Sequence, residues 1–397
     1  MKWFLGAALL ATMPVALPLS AQNPGAVVRE GRYWVQTDDG TVPAAGLSRL
    51  RVSSIGSIKV RGDAAGQVRY AARKRVRAGS EAEARRLLSG SPIRATRQGP
   101  TFVLAVQDLN CGRCSYAVDL EVTVPRNTQD TILETNGGSL DVNDLDGRVN
   151  AQTAGGAIQM DRIGRDVRAS TAGSGITLGT IGGPVRCETA GGSIRLALVK
   201  GDAVLTTSGG NIDAGVVEGR LRAETAGGSI QARRVAGIVT AETAGGSIQI
   251  GQAGSRVNAE TAGGSITVES APGGVQAENG NGSIRLLDVA GMLRASSAGG
   301  NILAQLMANQ ILADSILETA NGNIIVLIPT GMRLTVRAAV EAAGSPSRIQ
   351  SDFPDIVVRM QEQGPGPRTV VAEGALNGGG PVLRIHNTAG TIQIKRR

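Results

Sequence analysis

Residues 223–230 read AETAGGSI, and the same eight letters return at residues 241–248 and 259–266. The copies stand 18 residues apart, and this spacing extends far beyond them. Ten aliphatic residues keep it without a slip: Leu140, Ile158, Ile176, Ile194, Ile212, Ile230, Ile248, Ile266, Ile284 and Ile302. A fixed period of this length indicates one structural unit that is repeated along the chain.

Each repeat alternates apolar and polar residues, which is typical of β-strands with one buried face. In the copy around Ile248, the neighbouring apolar positions include Val239 and Ile250. Glycines interrupt this copy at Gly237 and at the pair Gly245-Gly246. Glycine at a corner lets the chain take a positive φ or pass close to the coil beneath. This constant order of strands and corners predicts an all-β fold, a single-stranded parallel β-helix or solenoid of 18-residue coils.

The spacing of the aliphatic columns bears on the winding of the coil. The left-handed hexapeptide helix also has 18 residues per coil, but it needs an aliphatic residue at every sixth position. Counted from the column of Ile248, the main aliphatic columns stand at 0, +2, +5 and −9. We therefore predict a right-handed or flattened two-cornered coil.

Residues 1–21 have the composition of a signal peptide. Lys2 supplies the positive start, residues 3–19 are mostly apolar, and Ser20-Ala21 provides small residues for cleavage. No later stretch approaches the roughly 20 apolar residues that a membrane-spanning helix needs. Gln22, not a cysteine, directly follows the predicted cut, so a lipid anchor is not expected there. We expect an exported chain in the periplasm or at the cell surface, without a transmembrane segment.

The sequence after the signal peptide divides into three predicted regions. These are a β-rich N-terminal cap at residues 22–125, the solenoid at residues 126–330 and a β-rich closing region at residues 331–397. The cap contains one predicted helix at residues 80–88, because Ser80 and Glu83 have the spacing of a capping box. The repeat motif returns at residues 387–392, which predicts that the tail lies back on the stack. The open ends of a solenoid are sheet edges that need such caps.

The composition predicts a thin core and a basic surface. Glycine supplies 56 of the 397 residues, about twice its usual share, whereas aromatic residues make up only 2%. No aromatic residue lies between Tyr116 and Phe353, so small aliphatic side chains must fill the solenoid. The formal net charge is +8, a balance that suits weak association with anionic envelope surfaces.

The three cysteines fall into two groups. Cys111 and Cys114 form a C-x-x-C, a spacing found in redox sites and in halves of zinc sites. Zinc would need further ligands, and the only histidine is His386. In an exported chain a local structural disulfide between Cys111 and Cys114 is favoured. Cys187 occupies a column held mainly by alanine, so it is expected to be buried and unreactive.

Two polar columns run through the repeats. One column carries glutamates that alternation turns outward: Glu134, Glu188, Glu224, Glu242, Glu260 and Glu278. We interpret them as a solvated acidic face offset by arginines such as Arg195 and Arg285, with calcium binding or sugar chemistry as the alternatives. The next column carries threonines: Thr135, Thr153, Thr171, Thr189, Thr207, Thr225, Thr243 and Thr261. Parity places these hydroxyls inward or at the corner, where they are expected to bond from coil to coil.

A basic run marks the N-terminal region. Its members are Arg69, Arg73, Lys74, Arg75, Arg77, Arg85 and Arg86. Anionic lipid, polysaccharide or nucleic acid would suit such a run. Only Tyr70 is interleaved with it, and base stacking needs more aromatic residues than that. We therefore interpret the run as a solvated basic surface and expect no nucleic-acid partner.

The overall layout resembles a known family. The resemblance rests on four features: the Val124-Pro125 step into the solenoid, the repeated T-x-G-G-x-I coils, the strand at residues 324–329 and the returning GTIQI at residues 390–394. Together they resemble a bacterial putative-adhesin domain family of unknown function, related to the head domains of autotransporter adhesins. This resemblance implies a parallel β-solenoid at the cell envelope. It provides no catalytic residues to transfer.

These features favour an exported, non-enzymatic structural or binding protein of the cell envelope, adhesin-like, that binds through its repetitive faces. An envelope component, a surface polysaccharide or a protein is the expected partner, and self-association is the further option. We expect no catalytic residue, cofactor or metal site. The alternatives are a carbohydrate-active β-helix enzyme, of the polysaccharide lyase or hydrolase type, and a periplasmic signalling or regulatory partner protein.

Overall fold

The computed structural model describes residues 23–90, 92–107, 115–308, 310, 312–341, 348–361 and 368–397. The predicted signal peptide and the Cys111 and Cys114 pair lie outside these residues, so both stay predictions. The chain forms two compact units. The first comprises Met1–Gly138 and Asp144–Gly147, and the second comprises Ser139–Asn143 and Arg148–Arg397.

The first unit contains strands of two sheets. Its elements are β1 (Asn23–Pro24), β2 (Val28–Glu30), β3 (Tyr33–Pro43), β4 (Arg49–Ser54), β5 (Ile58–Asp63), β6 (Gln67–Val76), α1 (Glu81–Ser89), β7 (Ile93–Gln98), β8 (Thr101–Val106), β9 (Tyr116–Pro125) and β10 (Asp130–Thr135). Strands β3, β6 and β9 pair antiparallel, and β9 continues in parallel to β5. Strand β4 pairs in parallel with β8 and β10. Tyr70 of β6 and Phe102 of β8 meet with ring centroids 6.2 Å apart, so the two sheets share one core.

Helix α1 lies where the sequence predicts it. The Ser80 hydroxyl accepts a hydrogen bond from the Glu83 amide at 3.3 Å. The Glu83 carboxylate reaches back to the Gly79 amide at 2.9 Å, one residue earlier than a standard capping box. Leu88 is fully buried and packs with Val76 of β6, which fixes the helix to the sheet.

The second unit is a two-sided stack of short strands. Its elements are β11 (Leu140–Leu145), β12 (Arg148–Thr153), β13 (Ile158–Ile163), β14 (Val167–Thr171), β15 (Ile176–Ile181), β16 (Val185–Thr189), β17 (Ile194–Val199), β18 (Ala203–Thr207), β19 (Ile212–Val217), β20 (Leu221–Thr225), β21 (Ile230–Val235), β22 (Val239–Thr243), β23 (Ile248–Ala253), β24 (Val257–Thr261), β25 (Ile266–Ser270), β26 (Val275–Asn279), β27 (Ile284–Val289), β28 (Leu293–Ser297), β29 (Ile302–Leu306), β30 (Ser315–Asn321), β31 (Ile324–Ile328), β32 (Leu334–Val340), β33 (Ile349–Ser351), β34 (Val357–Gln361), β35 (Thr369–Leu376), β36 (Val382–Ala389) and β37 (Ile392–Arg396). From β13 to β29, odd-numbered strands pair only with odd-numbered strands and even-numbered with even-numbered, each in parallel. This arrangement is the predicted parallel β-solenoid with two strands per coil.

The register of the stack is the predicted 18 residues. Ile248 pairs with Ile230 on one side and with Ile266 on the other, and Val239 pairs with Val257. Each aliphatic residue therefore meets its own equivalent in the next coil, and these side chains are almost completely buried. Burial of a side chain of this size contributes about 1.5–3 kcal/mol.

The threonine column lies inside the coil, as predicted. Thr243 is 6% exposed, and its hydroxyl donates to the Gly228 carbonyl of the preceding coil at 2.8 Å. The same oxygen accepts from the Gly246 amide at 3.2 Å. Each hydroxyl thus holds one corner and links it to the coil before, which is how a buried polar group avoids an unsatisfied hydrogen bond.

The C-terminal part closes the stack in the predicted way. Ile302 pairs with Ile324, so the 22-residue interval inserts a longer loop without changing the register. The tail then returns, because Ile324 pairs with Ile392 and Leu317 pairs with Ile385, both in parallel. In the sheet of even-numbered strands, β35 pairs antiparallel with β32 and β34, which ends the parallel pattern of that sheet.

The two glycines of the corner differ in their surroundings. A methyl carbon on Gly246 would lie 2.0 Å from the Gly228 carbonyl oxygen, whereas one on Gly245 would lie 3.6 Å from its nearest neighbour. Neither glycine has a positive φ. Close approach to the coil beneath, rather than backbone conformation, therefore makes glycine necessary at the second position.

We expect Gly246→Ala to destabilise the fold by about 2 kcal/mol or more, because rigid backbone blocks the added methyl group. The matched control is Gly245→Ala, which we expect to be neutral or to stabilise by about 0.4–1 kcal/mol through the unfolded chain. Thermal unfolding followed by circular dichroism measures both. Equal losses of stability in the two variants would contradict the assigned register.

Candidate functional site

The outward face of the even-numbered strands carries a continuous polar row. In β22, which reads VTAET, Val239, Ala241 and Thr243 are buried, so strand alternation turns Thr240 and Glu242 outward. The glutamates Glu224, Glu242, Glu260 and Glu278 are paired in direct register on β20, β22, β24 and β26. We call these four residues the glutamate row.

The glutamate row places like charges one strand spacing apart. That spacing is about 4.8 Å, and like charges opposite one another in a sheet are destabilising. The register extends the row through Ser296 and Glu318 to His386. The His386 ring Nε2 lies 3.0 Å from Glu341 Oε1, so the far end of the row carries an imidazole beside a carboxylate.

Arginines offset the outward glutamates of the even-numbered strands unevenly. Arg186 pairs with Glu188, its Nε lying 2.8 Å from Oε1. Arg222 pairs with Glu224 of its own strand and lies 3.7 Å from Glu242 of the next. For Glu260 and Glu278, no ion pair is found in the part of the chain that the structure describes.

The arginines named from the sequence lie elsewhere. Arg195 and Arg285 are on β17 and β27, in the sheet of odd-numbered strands. The expectation that these two offset the glutamates is therefore wrong. The arginines beside the glutamates lie two residues earlier on the same strands, because residues two apart in a strand share a face.

A long groove follows the glutamate row. Its volume is about 940 Å³, and it extends along the coils from Thr207 to Thr388. It is lined by the glutamate row, by the threonines beside it and by corner alanines such as Ala244. The small alanine side chains leave room in front of the carboxylates. The groove can therefore hold an extended chain against a series of equivalent acidic groups.

Among the described residues, no group of three or more histidine, cysteine, aspartate or glutamate side chains is arranged to hold a metal ion. Each coil instead contributes one carboxylate to the glutamate row, at the same position as in the coil before it. The row thus offers a line of equivalent single charges.

The basic run of the first unit is largely paired. Ion pairs join Arg69 to Asp63, Arg73 to Glu30, Arg75 to Asp119 and Arg85 to Glu81. Lys74 is buried and lies 2.6 Å from Asp38. The interpretation of the run as one solvated basic surface is therefore wrong for Lys74. The sequence carried the signal, because Lys74 falls on the parity of the buried Val68, Tyr70 and Val76 in β6.

Cys187 is buried in the alanine column, as predicted, between Ala169 and Leu205 of the adjacent strands. Burial raises the pKa of its thiol well above the usual range, and the nearby Glu188 charge adds to the rise. A thiol held in its protonated form is a poor nucleophile, so Cys187 has a packing role.

No family model matches the chain, and no curated protein matches it. One solved structure, a "putative cell adhesion protein" from Clostridium sporogenes ATCC 15579, aligns over 91% of this chain and 100% of that chain, with 10% identity and a TM-score of 0.20. So low a TM-score carries no argument about this chain. Within the described residues, no helix is long and apolar enough to cross a membrane.

We expect Glu260→Gln to raise the melting temperature, because it removes the repulsion of Glu260 by Glu242 and Glu278. A cross-strand charge pair of this kind contributes about 0.2–1 kcal/mol. The matched control is Glu188→Gln, which removes a charge that Arg186 already offsets and should give no gain. Thermal unfolding at low salt measures the difference. In about 1 M salt the gain should disappear, because the screening length falls to about 3 Å. A gain that persists in salt would contradict the electrostatic origin.

Proposed function

We propose that this chain is an exported, non-enzymatic binding protein of the cell envelope, adhesin-like, that holds its partner by many equivalent weak contacts. The observation that carries the proposal is the register of the stack. Because each coil repeats the coil before it, the glutamate row presents Glu224, Glu242, Glu260 and Glu278 at one constant spacing. Equivalent contacts that act together raise overall affinity far above that of a single contact.

The groove beside the glutamate row is the face we assign to this binding. Its carboxylates suit a partner with repeated positive groups on a surface polysaccharide or a protein. A second copy of this basic chain would also provide positive groups, which keeps self-association among the outcomes of the test. The odd-numbered strands present neutral residues such as Gln231 and Gln249 at the matching coils, so they serve as the control face.

The second candidate is an enzyme that cleaves polysaccharides. One observation favours it: neighbouring strands lie about 4.8 Å apart, close to the roughly 5–5.5 Å that separates the two carboxyl groups of retaining glycosidases. Such chemistry needs two carboxyl groups in different environments, one protonated and one charged. Glu242 and Glu260 occupy equivalent positions in near-identical coils, so we rank binding first.

Stepwise neutralisation of the glutamate row tests the proposal. The mature chain is titrated against intact cells and a panel of polysaccharides, first unchanged, then with Glu260→Gln, then with Glu242 also changed to Gln, then with all four changed. Each step should weaken binding, by about 0.2–1 kcal/mol per exposed charge contact. Gln231→Ala and Gln249→Ala should leave binding unchanged.

The outcomes separate the candidates. Equal binding by all row variants would overturn the groove as the binding face. Polysaccharide turnover that one Glu→Gln change abolishes, while its neighbours do not, would overturn the non-enzymatic proposal. Binding only to immobilised chain of the same sequence would identify self-association.

Protease shaving of intact cells tests the location. If the chain acts at the surface, immunoblotting should lose its signal while a periplasmic control protein stays intact. Protection of the chain until the outer barrier is broken would contradict the adhesin-like role. It would then favour a periplasmic signalling or regulatory partner.

A further inference from the structure

The first unit contains an ion pair with almost no access to water. Lys74 of β6 and Asp38 of β3 lie on adjacent antiparallel strands, with Lys74 Nζ 2.6 Å from Asp38 Oδ2. The two side chains are 6% and 4% exposed. The other carboxylate oxygen, Asp38 Oδ1, is buried and has no hydrogen-bond partner among the residues that the structure describes. Within the described part of the chain, Lys74 is therefore the one group that solvates the carboxylate.

Such a pair is costly in its ionic form. Removing two charges from water carries a penalty of several kcal/mol per ion unless hydrogen bonds satisfy every remaining polar atom. Here one carboxylate oxygen is unsatisfied, and the strand neighbours on the same face, Ala72 and Val76, are apolar and fully buried. By contrast, Arg75 and Asp119 pair with 37% and 27% of their side chains exposed.

We propose that Lys74 and Asp38 condense into an amide that covalently joins β3 to β6. A proton first passes from the ammonium to the carboxylate, which leaves an amine and a carboxylic acid. The Nζ lone pair attacks Cγ, and the Nζ–Cγ bond forms. The Cγ–OH bond then breaks, and the hydroxyl leaves with a proton from Nζ as one water molecule. The step is a dehydration that needs no oxidant, reductant or added group.

Two features of the site favour this step. The paired strands hold the amine against the carboxyl group, and such fixed geometry supplies effective concentrations of about 10⁵–10⁸ M. Burial also keeps away the water that would reverse the reaction. The product is a neutral amide in place of two buried charges. It links positions 38 and 74 and, like a disulfide, restricts the unfolded chain.

An exposed pair in the same unit provides the internal control. Lys59 of β5 and Glu121 of β9 are paired directly in register, with Nζ 3.9 Å from Oε1. Their side chains are 36% and 72% exposed, so water solvates both ions. We expect no amide between Lys59 and Glu121.

The test is mass spectrometry of the full mature chain, purified folded, then denatured and reduced. The intact mass should be lower by one water than the sequence requires. Proteolysis should release a branched peptide that joins Lys74 to Asp38, while Lys59 and Glu121 stay on separate linear peptides. Lys74→Arg keeps the positive charge but should restore the full mass and abolish the branched peptide.

Two results would overturn the proposal. One is the full unmodified mass after prolonged incubation of the folded wild-type chain, which would leave a buried ion pair. The other is a loss of water that maps elsewhere, above all to Asp39-Gly40, where a cyclic imide forms with the same change in mass. Both are read on the wild-type protein, so they do not depend on whether a variant folds.

Discussion

The second unit depends on one constraint: each coil is hydrogen-bonded in direct register to the next, at a single strand spacing. Every position therefore meets its own copy, as Ile248 meets Ile230 and Ile266. Inside the coil this repetition is favourable, because equal aliphatic side chains pack on one another. Threonines of the inner column also donate to the equivalent carbonyl of the coil before them, as Thr243 does to Gly228. The constraint also fixes the corner, where the Gly228 carbonyl leaves no space for a side chain on Gly246.

The same repetition has an unfavourable side on the surface. A charged residue that faces outward is stacked on like charges, and the glutamate row collects four of them with Arg222 beside only one end. A stack built for packing alone would gain from alternating charges there. The row lies along a groove, and this coincidence of repulsion and open space is why we assign binding to that face rather than to the face of the odd-numbered strands.

The first unit follows a different physical logic. Its sheets are mixed and its side chains larger, so a core with Phe102 replaces the repeated columns of small residues. Several of the cations in its basic run, Arg69, Arg73 and Arg75, are each offset by a carboxylate on another element. The pair of Asp38 and Lys74 differs from these, because both side chains are buried and water does not solvate either charge.

The sequence by itself determined the period, the two strands per coil, the inward threonines, helix α1 and the return of the tail, because each follows from local alternation or from identity between copies. It also contained the parity that buries Lys74. Only the tertiary structure decided which side chains meet across strands distant in sequence. It brought Arg222 to Glu242 of the next coil, placed His386 at the end of the row and brought Asp38 to Lys74. The physical reason is that pairing between strands is set by the packing of whole elements, whereas a linear pattern reports only which face a residue occupies.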